Sequence, residues 1–233
     1  MATSSFTSAL IVGAGSGLSA ALARALASAG VKIALAARST ADLDGLAKEV
    51  GAQTFACDAS RRADVEALFT ELDKGFGAPE IAIYNPSYRV RGPFVDLDPG
   101  EVEKTLLVSA YGGFLVGQQA ARRMVAKRKG VILFTGASAS VKGYAESAPF
   151  AMGKFALRGL AQSMSRELHP KGVHVAHVVI DGGIKSARRA EAADQPDSLL
   201  DPDAIAASYL HLIHQPPSAW SSELELRPWV EKF

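Results

Sequence analysis

The sequence predicts an α/β fold, a doubly wound parallel sheet in a single domain. Three observations predict it. Short apolar runs alternate with longer helical patterns along the whole 233-residue chain. Those runs are uninterrupted rather than alternating with polar residues, as expected for strands covered on both faces. A glycine-rich turn joins the first apolar run to the first helical stretch. Repeated strand–helix units pair in parallel through right-handed crossovers, and such sheets bind ligands at the carboxyl ends of their strands.

In chain order, residues 8–12 read as a buried strand, and residues 19–29, rich in Ala and Leu and stopped by Gly30, as a helix. Residues 31–36 are a second strand, 40–50 a second helix, 54–56 a short third strand and 61–76 a third helix ending near Gly77. Residues 81–84 are a fourth strand, and the Gly/Pro-rich stretch 86–99 is a loop. A long helix over 101–127 leads to a fifth strand at 131–134. The helix over 149–169 has Pro149 in its first turn and is ended by Pro170 and Gly172. Residues 173–180, very rich in Val, are a sixth strand. Residues 182–202 are polar and irregular, 203–214 a late helix and 223–227 a last strand. No internal repeat, low-complexity tract or linker interrupts this series.

The length suffices for one domain with a sizeable core. With 48% hydrophobic and 21% charged residues, the composition is that of an ordinary soluble globular protein. A net charge of +1 gives no reason to expect nucleic acid or an acidic membrane as partner. The basic runs Arg122-Arg123 and Lys127-Arg128-Lys129 close a helix, where cations are favoured. Cys57 is the only cysteine, read as a small buried hydrophobe, and a chain with no internal disulfide fits a reducing compartment. The first residues lack a basic segment followed by an apolar run, and no uncharged apolar stretch is long enough to cross a bilayer. A cytoplasmic location without membrane contact is therefore expected. Strand alternation puts His174 and His177 on opposite faces. His211 and His214 have helical spacing, but no acid or cysteine completes either pair, so no metal is expected.

The turn Gly13-Ala14-Gly15-Ser16-Gly17-Leu18-Ser19 lies between the first strand and the first helix. Glycines there permit a tight turn and close approach of the backbone to a pyrophosphate, and the helix N-terminus supplies free N–H groups and partial positive charge. That context points to a dinucleotide, with Gly13, Ser16, Gly17 and Leu18 holding its pyrophosphate. The second strand ends Ala34-Leu35-Ala36-Ala37-Arg38-Ser39, with no acid before Asp42. An acid there would bind ribose hydroxyls and repel a 2′-phosphate. Arg38 can instead pair with that phosphate through charge-assisted bonds, and Ser39 can add a hydroxyl. NADP is the expected cofactor. NAD is the alternative, with Arg38 merely stacked on adenine.

The spacing of Gly13 and Gly17, with Ser19 where a third glycine would stand, resembles the Gly-x-x-x-Gly-x-Gly fingerprint of the short-chain dehydrogenase/reductase family. The resemblance extends to Cys57-Asp58 after the third strand, to Asn85-Pro86-Ser87 after the fourth, and to Lys154-Phe155-Ala156-Leu157-Arg158-Gly159-Leu160. It continues through Lys171-Gly172-Val173-His174-Val175 and Asp181-Gly182, the latter replacing the family's Pro-Gly. It implies a seven-stranded Rossmann-like sheet, with residues 1–233 forming a single dinucleotide-binding, oxidoreductase-like domain. It further implies Asp58 at adenine, and Asn85, Lys154, Gly182 and Ile184 at the nicotinamide half. The substrate would be a small molecule. Assembly as a homodimer or homotetramer would use the helices over 101–127 and 149–169, where Gly112, Gly113 and Gly117, with Phe114 and Val116, permit close packing.

Carbonyl reduction needs a hydride and a proton. The resemblance implies a tyrosine as proton donor four residues before a lysine, on the same helix face. That lysine would bind the nicotinamide ribose and lower the tyrosine pKa, while a serine would bind the substrate oxygen. Lys154 fits the lysine, but four residues earlier stands Phe150. The serine position falls at Ala137, with Ser138 next to it as the candidate, and Val108-Ser109 stands where the family carries an asparagine. Three readings remain open. Tyr144, Ser138, water or the substrate itself supplies the proton; or the substrate is an activated alkene protonated from solvent; or the protein binds the nucleotide with little turnover. The polar stretch 183–202 is expected to be a mobile flap over the substrate.

Overall fold

In a computed structural model that describes residues 6–187, 189–191 and 194–231, the apolar runs become seven strands. These are β1 (Ser8–Val12), β2 (Lys32–Ala37), β3 (Gln53–Ala56), β4 (Ile81–Tyr84), β5 (Gly130–Thr135), β6 (Val173–Ile180) and β7 (Glu223–Leu226). The helices are α1 (Leu18–Ser28), α2 (Asp44–Val50), α3 (Arg62–Glu71), α4 (Pro99–Leu106), α5 (Gly112–Lys127), α6 (Ala148–Leu168) and α7 (Pro202–His214). All strands pair in parallel in one sheet of order β3-β2-β1-β4-β5-β6-β7.

The pleat explains why the strands carry no polar alternation. Ala9, Ile11, Ile83, Leu133 and Val178 enter one core, with residues of α1 and α7; Leu10, Val12, Tyr84, Phe134 and Val175 enter the other, with residues of α3, α5 and α6. Strand order reverses between β1 and β4, and the crevice at such a reversal is where ligands bind.

Three helices depart from the periodicity. The helix expected over 61–76 finishes as a π turn at Leu72–Phe76. The one expected over 101–127 starts earlier, at Pro99, because the Asp98 carboxylate accepts from the Glu101 N–H at 2.9 Å. It is then interrupted by a π turn at Leu107–Tyr111, within which the Val108 carbonyl also accepts from the Tyr84 hydroxyl at 2.5 Å. The helix expected over 40–50 opens as a 3₁₀ turn before α2.

One expectation is corrected. Gly112, Gly113 and Gly117 do not present a face for another subunit. They are buried against Tyr84, Leu157 and Phe134 of the same chain, and Val116 is buried with them. Of those five residues only Phe114 faces outward, stacked on Tyr111. The 183–202 stretch is tied at its base, where Leu200 N–H donates to Gly183 O (2.8 Å) and Lys185 N–H to Leu200 O (2.9 Å). Among the described residues no helix is long and apolar enough to cross a membrane.

Candidate active site

The glycine turn is bound to its surroundings before any ligand is considered. Gly13 has φ +79°, and a Cβ there would come within 2.7 Å of the Pro86 nitrogen, so only glycine lets the end of β1 approach the end of β4. The Gly13 and Ala14 N–H groups are spent on the Ala36 carbonyl, at 2.9 and 3.0 Å. Donors for a phosphate must therefore come from the start of α1. No side chain caps that helix and no acid stands in its first turn, so its partial positive charge is uncompensated. A Cβ at Gly15 or Gly17 would meet no atom of the chain within 4 Å. Nothing in the protein itself demands glycine there, and the open space suits an incoming phosphate.

Ser19 does more than replace a small residue. Its hydroxyl donates to the Gly13 carbonyl (3.0 Å) and accepts from the Asn85 side-chain amide (2.7 Å), latching the turn to the end of β4. The fingerprint spacing signals only small size at this position, so the latch is invisible in the sequence. Leu18 buries its side chain in the core, leaving only its backbone for a phosphate, whereas Ser16 is exposed.

A cavity of about 690 Å³ opens beside this turn, lined by Gly13, Arg38, Ser39, Asp58 and Asn85 among others. Ser16, Gly17 and Leu18 are not part of that lining; they lead into α1. Arg38 is exposed, and no carboxylate is hydrogen-bonded to its guanidinium among the described residues. Asp58 accepts from the Ser60 N–H (3.0 Å) and hydroxyl (2.6 Å). Burial opposes its ionisation, but the Ser60 bonds and the charges of Arg38 and Arg61 together hold its carboxyl below the usual range. Burial first, then Asp64 and Asp58, push the Cys57 thiol up to about 12, so it behaves as an inert hydrophobe.

Asn85 and Ser87 also line a second cavity of about 530 Å³, over the ends of β5 and β6. Lys154 reaches it from α6. The side chain is 1% exposed, its Nζ donates to the Thr135 carbonyl at 2.8 Å, and burial lowers its pKa to about 8. Beneath it the Thr135 and Tyr209 hydroxyls are 2.8 Å apart, both buried, so α7 braces the end of β5.

Phe150, one turn earlier on α6, lines the same cavity. Its ring centre is 5.9 Å from Lys154 Nζ and 5.0 Å from the Arg89 guanidinium carbon, so two cations lie over the ring. Ser138, Gly182, Ile184 and Tyr144 complete the wall, and Ser138 opens a 3₁₀ turn at Ser138–Ser140. Ser109 stays out of the lining. It packs under α6 against Gly153, with its buried hydroxyl unpartnered among the described residues.

Arg38, Ser39, Asp58 and Gly13 thus gather at one end of a cleft, and Ser138, Lys154, Gly182 and Ile184 at the other, with Asn85 common to both. Arg89, Arg189 and Thr135 were not singled out by the sequence reading. The two arginines lie in irregular stretches after β4 and β6, where no periodicity says which way they turn. Among the described residues, the Lys154 end holds three cations, several hydroxyls and no carboxylate.

Comparison with known proteins agrees with this arrangement. The sequence profile of the short chain dehydrogenases matches residues 7–197. A 3-oxoacyl-[acyl-carrier-protein] reductase MabA of Mycobacterium avium is 32% identical over 177 residues, 76% of this chain and 67% of that protein. The crystal structure of a short-chain dehydrogenase from Rhodopseudomonas palustris superposes with a TM-score of 0.82 at 33% identity, covering 96% of this chain and 99% of the other. A metagenomic short-chain oxidoreductase in complex with NADP superposes with a TM-score of 0.85 at 27% identity, covering 98% of this chain and all (100%) of that one. A glycine turn at the strand reversal, a buried lysine over the fifth strand and a profile match along most of the sequence agree: the chain belongs to the short-chain dehydrogenase family.

Proposed function

We propose that this protein is an NADP(H)-dependent oxidoreductase that transfers hydride to or from a small carbonyl compound, alcohol or activated alkene, with a proton source other than the side chain at position 150. The observation that carries this reading is the lining of the Lys154 cavity. The Ser138 and Tyr144 hydroxyls share a wall with a buried lysine, at the end of a cleft that begins at an uncapped helix N-terminus.

Arg38 and Ser39 hold the 2′-phosphate, Asp58 meets adenine, and Gly13, Ser16, Gly17 and Leu18 frame the pyrophosphate. Asn85, Gly182 and Ile184 border the nicotinamide. The cofactor supplies the hydride. Lys154 binds the ribose hydroxyls, and its rigid tether to Thr135 fixes where that ribose sits. Ser138 binds the substrate oxygen. The proton comes from Tyr144, whose hydroxyl neighbours Lys142, or from solvent.

Residues 1–233 act as one domain in the cytoplasm. Leu107, Tyr111 and Phe114 beside α5, with Met152 and Phe155 on α6, leave apolar side chains exposed, which supports a homodimer or homotetramer. Phe150 favours a second reading, a nucleotide-binding protein without turnover.

The two are separated by following NADPH oxidation with wild type and Phe150→Tyr across ketones, aldehydes and enones. The oxidoreductase reading expects wild-type turnover of at least one compound and a rise of about tenfold or more for ketones in Phe150→Tyr. A tight NADPH complex inert in both forms gives the second reading, and no complex at all removes both.

A further inference from the structure

Two arginines at the Lys154 end have no part in holding the dinucleotide as proposed. Arg89 follows β4 and Arg189 lies in the segment after β6; they are exposed and line the cavity. Arg89 lies over the face of Phe150, 5.0 Å from the ring centre. Arg189 folds back so far that a Cβ on Gly183 would come within 2.7 Å of its Nη1, and glycine at 183 leaves room for it. Its backbone is pinned in a two-way pair with Ser186, at 2.9 and 3.0 Å. Neither arginine lines the cavity beside the glycine turn.

Their electrostatic setting is unusual. Partial burial, then the charges of Arg91 and Arg189, lower the Arg89 pKa, and no carboxylate acts in the opposite direction. Neither guanidinium has an acidic partner among the described residues. With Lys154 the described residues of the wall include three cations and no acid. Like charges gathered in a concave, partly desolvated site repel one another unless an anion joins them. A guanidinium stacked on an aromatic face keeps its N–H edge free, and that edge matches a carboxylate or phosphate.

We propose that Arg89 and Arg189 form an anion-recognition site that selects a substrate bearing a carboxylate or phosphate group beside its reducible carbonyl or alkene. This rests on the oxidoreductase reading for the identity of the reacting group, but not for the anion preference itself. The anion bridges the two guanidinium groups at the mouth, which directs the uncharged, reducible part inward toward Ser138 and Lys154.

The test reads binding rather than turnover. Calorimetry on the NADP⁺-loaded protein compares two matched pairs, 4-oxopentanoate against its methyl ester and dihydroxyacetone phosphate against dihydroxyacetone. The expected result is that the charged member of at least one pair binds about tenfold more tightly than the neutral one. Arg89→Gln and Arg189→Gln each erode that preference, and the double variant removes it while NADPH affinity stays unchanged. The pair with the larger preference tells carboxylate from phosphate. Equal binding of charged and neutral members in both pairs, no binding of either, or a preference that survives the double variant overturns the proposal. So does a loss confined to NADPH affinity, which would assign the arginines to the cofactor. A protein that prefers the anion but never oxidises NADPH loses the oxidoreductase reading and keeps this one. NADPH oxidation by a protein that binds charged and neutral members equally does the reverse.

Discussion

At the glycine-turn end of the cleft, Gly13, Arg38, Ser39 and Asp58 come from the ends of three neighbouring strands within residues 13–58. At the Lys154 end, Arg89, Ser138, Phe150, Lys154 and Arg189 come from four separate stretches spread over residues 89–189. The first end is shaped by backbone: a positive φ at Gly13, spent N–H groups at Gly13 and Ala14, and empty space over Gly15 and Gly17. The second is shaped by side chains packed on side chains, with a buried lysine, a ring near two cations and hydroxyls on the wall. A backbone cradle recognises what all dinucleotides share, and it leaves little freedom for substitution. A side-chain wall can change chemistry one residue at a time.

The largest expected effect breaks the Lys154 end while sparing the other. Lys154→Met should lower turnover by about 100-fold or more, with the Kd for NADPH much less affected. The same variant tests the burial of the charge. Burial lowers Lys154 from 10.5 to about 8, so between those pH values the unfolded chain holds a proton that the folded chain has released. Stability from this position is fully present above pH 10.5 and is lost as pH falls to about 8. Denaturant unfolding should show wild type gaining up to about 3 kcal/mol on Lys154→Met between pH 8 and 10.5. A constant difference across that range would mean the ammonium is not desolvated.

A smaller effect sharpens the description of the glycine turn. Gly13→Ala faces both an unfavourable φ and the Pro86 nitrogen, and should lose about 2 kcal/mol of stability. Gly17→Ala meets nothing within the chain. It should unfold like wild type yet bind NADPH about tenfold more weakly. Equal destabilisation of both variants would show that the space over Gly17 is not reserved for a ligand.

This contrast also explains what the sequence made legible. All seven strands, the order of the helices and most residues at the glycine-turn end follow from periodicity and from a fingerprint whose parts are close in sequence. Lys154 stood out through the family resemblance, since a helical pattern alone leaves a lysine in solvent. The Ser19 latch was not, since its partners, Gly13 O and Asn85, are backbone and a side chain 66 residues away. The glycines of α5 were misjudged because sequence spacing cannot tell an inward from an outward face when apolar residues occupy both. Tyr84 decided that case, since its hydroxyl bonds the Val108 carbonyl and sits against Gly112 while its ring lies beside Gly113. Arg89 and Arg189 were hidden for a third reason, as an irregular segment carries no period that would place a side chain in a cavity.

The central claim is that the glycine-turn end holds NADP(H). It is tested most directly by fluorescence titration of wild type and Arg38→Ala with NADPH and NADH. The account predicts that wild type binds NADPH about tenfold or more tightly than NADH, and that Arg38→Ala abolishes the preference by weakening NADPH alone. Equal affinity for the two cofactors in wild type, a preference for NADH, or no binding of either would contradict it.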